Sequence, residues 1–145
     1  MSVVKRRVFL NTTCWVAAAG SETGGSSAII LLAQAFLFVL ITSRVVLQEA
    51  ERNIRFKMDA AAQQRFHLLL GATEIEICKQ PTLTEEERWA ELTVDKDRHV
   101  LVAAFQASMD VLVTLDRKHI LTEAVRASFP VLVQDTKEFL TDFRK

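Results

Sequence analysis

Four residue positions in this sequence stand where a polar side chain follows an apolar run, and three of them are acids. Val8-Phe9-Leu10 runs into Asn11-Thr12-Thr13. Phe38–Ile41 runs into Thr42-Ser43, with Glu49 six residues further on. Val111-Leu112-Val113 runs into Thr114-Leu115-Asp116, and Asp97 stands at the start of the helical segment that precedes that run. In an open parallel α/β sheet, ligands bind outside the carboxyl ends of the strands. Glu49, Asp97, Asp116 and the Asn11 carboxamide are therefore expected to converge at one sheet edge. Clustered carboxylates repel one another unless a cation neutralises them. An all-oxygen donor set suits Mg²⁺ or Mn²⁺, and such an ion activates water and stabilises charge on a phosphodiester. The chemistry this points to is hydrolytic phosphodiester cleavage.

Taken singly, each residue has a plainer reading. Asp97 reads as a helix cap, Asp116 and Asn11 as turn residues after strands, and Glu49 as a solvated helix residue beside Arg52 and Asn53. Arg44, Arg52, Arg55 and Lys57 flank Glu49, and Arg117 and Lys118 follow Asp116. If these cations border the acids they would hold a phosphate backbone; otherwise they are dispersed surface charge.

The elements needed to position these groups follow from periodicity. Five short apolar runs predict strands at Val8–Leu10, Phe38–Ile41, Ile75–Cys78, Val111–Thr114 and Val131–Val133. The third alternates, as an edge strand does. Ala28–Phe36 suits a buried helix. Ser43 is expected to cap a helix reaching about Ile54, and Asp59 one that stops at Gly71. Thr84-Glu85-Glu86-Glu87 has capping-box spacing. Asp95 or Asp97 is expected to open a helix through Met109, and Thr136 one with Phe139, Leu140 and Phe143 turned inward. Strand–helix alternation with near-continuously apolar strands implies a parallel sheet covered on both faces, a three-layer α/β fold of about five strands. The Gly/Ser-rich segment Ser21–Ser27 is expected to form a mobile rim loop.

Composition narrows the class further. With 145 residues, 50% hydrophobic and 25% charged, one domain spanning 1–145 is expected. Eighteen basic against 18 acidic residues exert no global pull on nucleic acid. Only 4 Gly, 2 Pro and 2 Cys exclude fibrous, low-complexity and disulfide-scaffold classes. Cys14 and Cys78 read as free thiols of a reducing, cytoplasmic compartment. The apolar stretch after Lys5-Arg6-Arg7 breaks at Asn11, too soon for a secretory signal, and Ala28–Ile41 is short of the roughly 20 residues of a membrane span. No Lys precedes Ser in Gly20–Ser27, so it is no phosphate-binding P-loop. His67, His99 and His119 lack partners at zinc spacing, and His119, beside Arg117 and Lys118, reads as solvated surface. Trp15 and Trp89 read as packing or interface residues.

Together, in order, these segments resemble the PIN-domain nucleases, and within them VapC-like toxin ribonucleases. Val8–Thr13 resembles the family's opening strand, where Asp-Thr-Asn is usual, and Ile41–Glu49 its glutamate-bearing helix. Lys96–Ala104 resembles the aspartate-bearing helix, Asp110–Ile120 the fourth strand with its acidic end, and Val131–Leu140 the closing strand and helix. The resemblance implies strand order 3-2-1-4-5 and a Mg²⁺- or Mn²⁺-dependent endoribonuclease, the toxin of a type II toxin–antitoxin pair. Its implied partners are RNA, an antitoxin and a second copy of the chain, with no membrane. It implies Glu49, Asp97 and Asp116 as catalytic metal ligands, Asn11 as an impaired fourth, and Thr12 and Thr114 as supporting groups. Asp110, which precedes its strand, is a weaker candidate. Arg44, Arg52, Arg117 and Lys118 are the RNA-contact candidates. The departure is Asn11, which holds an oxygen ligand without the charge of an aspartate and so implies reduced metal affinity and turnover. One alternative is a weakened PIN-like module that binds RNA or protein without cutting. A second is a receiver-like signalling domain, against which stands Gln134-Asp135-Thr136 after the last strand, where a lysine is usual.

Overall fold

A computed structural model of the chain describes residues 5–79 and 87–144. Five strands form one parallel sheet: β1 (Arg7–Leu10), β2 (Val39–Ser43), β3 (Ile75–Cys78), β4 (Val111–Val113) and β5 (Leu132–Gln134). Their order is β3-β2-β1-β4-β5, and helices flank the sheet. This is the expected α/β architecture and order. It differs from the 2-1-3-4-5 order of flavodoxin-like sheets, which removes the receiver-like alternative.

The central strands are apolar throughout because both faces are covered. Every residue of Val8–Leu10 and Val111–Val113 is buried. β3 lies at the edge, as its alternation foretold, but it leaves Ile77 exposed as well as Glu76. Helix α1 (Thr12–Gly20) leaves β1 directly, capped by Asn11. It packs on α2 (Gly25–Gln34), α3 (Arg44–Lys57) and α4 (Ala60–Ala72). Trp15 anchors it in the core, its indole N–H donating to the Leu10 carbonyl at 3.1 Å and its ring meeting Phe66 edge-on. Helix α5 (Asp95–Gln106) packs on β2, α6 (Glu123–Ser128) on β5, and α7 (Thr136–Phe143) on α2 and β5. Trp89 packs edge-on against Phe105 and Phe129.

Several local expectations need correction. α1 and α6 were not foreseen: Thr12–Gly20 is apolar on nearly every side, so no stripe stands out although Cys14, Trp15, Ala18 and Ala19 are buried, and α6 is a single short turn-and-a-half. Ser21–Ser27 is a loop only as far as Gly24, since Gly25–Ser27 form the first turn of α2, where Ser26 and Ser27 are buried. Ser27 donates from Oγ to the Ala18 and Ser21 carbonyls, which ties the α1–α2 corner shut. α4 does not stop at Gly71; it runs through it to Ala72 and ends at Thr73, whose hydroxyl donates to the Leu69 carbonyl. α5 opens at Asp95, as expected, with Asp97 in its first turn. Its N-cap is Val94, without a side-chain bond, and it ends at Gln106 because Ser108 turns to φ 55°. α3 extends past Ile54 to Lys57, and α7 is capped by Asp135 in a capping box with Glu138. Thr84–Glu86 of the anticipated capping box lie outside the described residues. Among the described residues no single helix is long and apolar enough to cross a membrane. The α1–α2 pair passes only jointly and is bent by 98°.

Candidate functional site

Because all five strands run the same way, their carboxyl ends open on one side. The register Leu10↔Val113 sets Asn11 level with Thr114, and Asn11 N–H donates to the Val113 carbonyl at 3.0 Å. The Asn11 side chain is buried and engaged at both ends. Its Oδ1 accepts from Thr12 N–H at 2.8 Å, and its Nδ2 donates to Thr114 Oγ1 at 2.9 Å. Thr114 Oγ1 also accepts from Asp116 N–H at 3.1 Å. Thr13 Oγ1 accepts from Leu115 N–H at 2.9 Å, which fixes the exit of β4 against α1. These bonds are what aim the loop after β4.

Glu49 reaches the same place from α3. Its Oε2 accepts from Thr12 Oγ1 at 3.2 Å, and its Oε1 lies 3.1 Å from His99 Nε2. Burial pushes the carboxyl up, but the hydrogen bond and charge of His99, then Thr12 and Arg52, outweigh it. Glu49 is held below the usual glutamate range. Asp97 is the third residue of α5, where the helix dipole favours an acid. Burial and then the neighbouring Asp116 raise its carboxyl above the usual aspartate range, against the pull of Lys96 and His119. Asp116 uses Oδ1 to accept the backbone N–H groups of Lys118 at 3.1 Å and His119 at 3.0 Å. That turn folds His119 back over the acids, with Nδ1 3.1 Å from Asp97 Oδ2 and 3.8 Å from Asp116 Oδ2.

Asn11, Thr12, Glu49, Asp97 and Asp116 thus line one cleft of about 400 Å³, with Thr13, Arg52, Asn53 and Lys96. An apolar groove of about 360 Å³ between α2 and α4 carries Leu31 and Leu68 and no acid pair. Thr114 supports the cleft from beneath. Of the cation candidates, Arg52 is on the cleft lining, and Lys96 joins it unanticipated. Arg117 is instead bonded to Asp135 at 2.9 Å, and Arg44 and Lys118 are outside the lining. Asp110 is at the opposite end of β4, where it accepts from Arg7 N–H at 2.7 Å.

His99 and His119 are the groups sequence reasoning missed. His119 is not solvated surface; its side chain is 20% exposed and sits among the acids. A signal existed, because an aspartate that accepts the N–H groups two and three residues on turns the chain back beside itself. His99 gave no such signal: it meets Glu49 only through tertiary structure, with α5 packed on β2.

The donor set suits a divalent cation. Asp97 Oδ2 is buried and makes no aligned hydrogen bond among the described residues, its near neighbour being His119 Nδ1 at 3.1 Å, and Asp97, Asp116 and His119 each offer a ligand atom within 4.8 Å of the others. Buried unpaired carboxylate oxygens are costly unless a proton or cation meets them.

No protein-family model matches the chain, and no curated protein matches it by sequence. Solved structures do match. PAE2754 from Pyrobaculum aerophilum is 15% identical with a TM-score of 0.64, covering 96% of each chain. VapBC2 from Rickettsia felis, solved bound to a DNA fragment from its promoter, is 18% identical with a TM-score of 0.61, covering 89% of this chain and 98% of that one. Mycobacterium tuberculosis VapC20, described as a sarcin–ricin loop cleaving toxin, is 20% identical with a TM-score of 0.52, covering 84% and 95%. With the strand order and flanking helices, these likenesses define a PIN-like α/β fold of the kind seen in VapC toxins.

Proposed function

We propose that this chain, a single domain, is a divalent-metal-dependent endoribonuclease of the PIN type and the toxin of a type II toxin–antitoxin pair, with turnover lowered by Asn11. Its partners on this reading are RNA, a cognate antitoxin and a second copy of the chain, in the cytoplasm. The observation that carries it is the meeting of Glu49, Asp97 and Asp116 in one cleft at the carboxyl ends of the strands. The description of a solved neighbour as an RNA-loop cleaving toxin supports the choice of substrate.

Asp97 and Asp116 would hold a Mg²⁺ or Mn²⁺ ion, with Asn11 as a weak neutral neighbour. Such an ion, when bound, supplies Lewis acidity toward a phosphodiester and makes a ligated water more acidic. The rest falls to the chain. Glu49, kept ionised by Thr12 and His99, is placed to accept a proton from an attacking water. Arg52 and Lys96 on the same lining draw the RNA backbone toward the acids. Asn11 contributes no charge. Its carboxamide oxygen already serves the Thr12 N–H and its nitrogen the Thr114 hydroxyl, so the pair Asp97–Asp116 works without a third carboxylate at this point.

That same observation favours a second reading, in which the cleft binds RNA without cutting it. One experiment separates the two: Mn²⁺-dependent cleavage of a fluorogenic RNA by this chain and by Asn11→Asp, with Glu49→Gln and Asp97→Asn as controls. The proposal expects slow cleavage, accelerated roughly tenfold or more by Asn11→Asp, in the range of a lost site charge, and abolished by either control. Equal, robust cleavage by the chain and Asn11→Asp refutes the role given to the missing carboxylate. Cleavage that survives both controls refutes the nuclease site. RNA binding with no cleavage by either protein establishes the binding module instead.

A further inference from the structure

The resemblance to the family supplies acids for this cleft, and the structure sets His119 against two of them. Its backbone is held at both ends: Asp116 Oδ1 accepts its N–H at 3.0 Å, and Thr93 Oγ1 donates to its carbonyl at 2.7 Å. The ring therefore has a fixed place, with Nδ1 at 3.1 Å from Asp97 Oδ2 and 3.8 Å from Asp116 Oδ2. An ordinary Asp–His hydrogen bond does not describe that contact. Asp97 Oδ2 is buried and has no aligned donor among the described residues, although the imidazole nitrogen is so near. With Asp116, these two residues offer one ligand atom each, all within 4.8 Å of one another, close enough to face a common third centre. Neighbouring ligands on an ion with bonds of about 2.1 Å stand roughly 3.0 Å apart in octahedral and about 3.4 Å in tetrahedral geometry. The 3.1 Å separation from Asp97 lies between those values, and the 3.8 Å separation from Asp116 lies just above them.

From this we infer that His119 Nδ1 is a third protein ligand beside Asp97 and Asp116, and that the resulting Asp–Asp–His set selects a first-row transition-metal ion over Mg²⁺. The inference rests on the acid pair of the nuclease reading holding a cation. Mg²⁺ takes oxygen ligands and parts reluctantly with water, whereas an imidazole nitrogen favours the softer divalent ions. Asn11 sharpens the point. With no carboxylate there, the charge that would hold a hard cation is reduced, and a nitrogen donor offsets the loss only for ions that bind nitrogen well.

Mn²⁺ binding to the full chain, read by electron paramagnetic resonance with ¹⁴N echo modulation, tests this without an activity assay, alongside Mg²⁺ affinity by calorimetry. The expected result is nitrogen modulation on bound Mn²⁺ that disappears in His119→Gln. Mn²⁺ affinity should fall roughly tenfold or more in that variant, a loss of the size ligand-sphere changes produce, and Mg²⁺ affinity by less than about threefold. Far-UV circular dichroism checks that the variant is folded, and the modulation in the unaltered chain stands independent of any variant. Mn²⁺ binding that Asp97→Asn removes, but without nitrogen modulation or with modulation persisting in His119→Gln, overturns the His119 ligand and leaves the acid pair. Mn²⁺ binding indifferent to Asp97→Asn, or no binding at all, overturns the acid pair and the inference with it.

Discussion

Asp97→Asn should make the metal-free protein more stable while destroying its response to metal. The Asp97 and Asp116 ligand oxygens stand within 4.8 Å of each other. Two unit charges at that separation repel by about 3.5 kcal/mol at an effective dielectric of 20. Against that relief stand the loss of a favourable acid in the first turn of α5, about 0.5 kcal/mol, and of the attraction to His119. The net expected gain is about 1–2 kcal/mol at pH 7.5 in the presence of chelator. For a chain of this size that raises the melting temperature by roughly 2–4 °C per kcal/mol. The pH dependence has a definite sense. Burial and Asp116 hold the Asp97 carboxyl above its ordinary value of 3.8. Its favourable contribution is therefore present below pH 3.8 and lost as pH rises through the folded-state value. The advantage of the asparagine should be greatest at neutral pH and fade toward pH 3. Saturating Mn²⁺ reverses the order: a ligand at a hundredfold its dissociation constant stabilises the unaltered chain by about 2.7 kcal/mol and the variant hardly at all. Thermal melts with and without Mn²⁺, from pH 3 to 8, make the measurement. A metal-free variant no more stable than the parent at pH 7.5 would refute the argument that these carboxylates oppose each other as charges.

Three further outcomes follow from the geometry. The stability advantage of the parent chain over Glu49→Gln should collapse as pH falls below 4.5, because His99 and Thr12 outweigh burial and hold that carboxyl low; urea melts from about pH 3 to 5.5 check it. Ser108→Gly should add about 0.5–1 kcal/mol in a urea melt, since Ser108 ends α5 at φ 55°, a left-handed conformation that costs a side chain. Arg52→Glu should weaken RNA binding and lower the salt slope by about one, whereas Arg117→Glu, whose guanidinium is bonded to Asp135, should change the slope less; anisotropy titrations from 50 to 300 mM salt compare them.

The fold was legible because its strands are short apolar runs and two of its helices begin at unambiguous caps. Ser43 accepts from Val46 N–H and Asp59 from Ala62 N–H where their side chains foretold it. What escaped was helix without an amphipathic stripe. α1 is packed on α2, α3 and α4, so its sequence shows little alternation between a wet and a dry side. Gly71 misled for a related reason: nothing approaches the space its side chain would fill, and it sits in α4 as an ordinary helical residue, not as a left-handed terminator. The α5 cap was not legible because the acids Asp95 and Asp97 lie inside its first turn, while the cap position itself falls on Val94, which makes no side-chain bond.

The site divides along the same physical line. Asn11, Asp97 and Asp116 each sit within a few residues of a strand or helix terminus, so local sequence fixes which end of the sheet they occupy. Glu49 sits six residues into the chain beyond β2, and one helical turn and a half of α3 carries it back over Thr12. The histidines belong to tertiary structure. His99 reaches Glu49 across 50 residues of chain, and His119 reaches Asp97 across 22. Each stands against an acid that sequence order had already placed, one against the proposed base and one against the proposed metal pair. That division has a consequence for the chemistry: Thr12 and His99 hold Glu49 ionised and separate from the Asp97–Asp116 pair, where burial and mutual repulsion push in the opposite direction. Carboxyls driven apart in this way take different roles, which is why Glu49 is read as the proton acceptor and the aspartates as the cation's ligands.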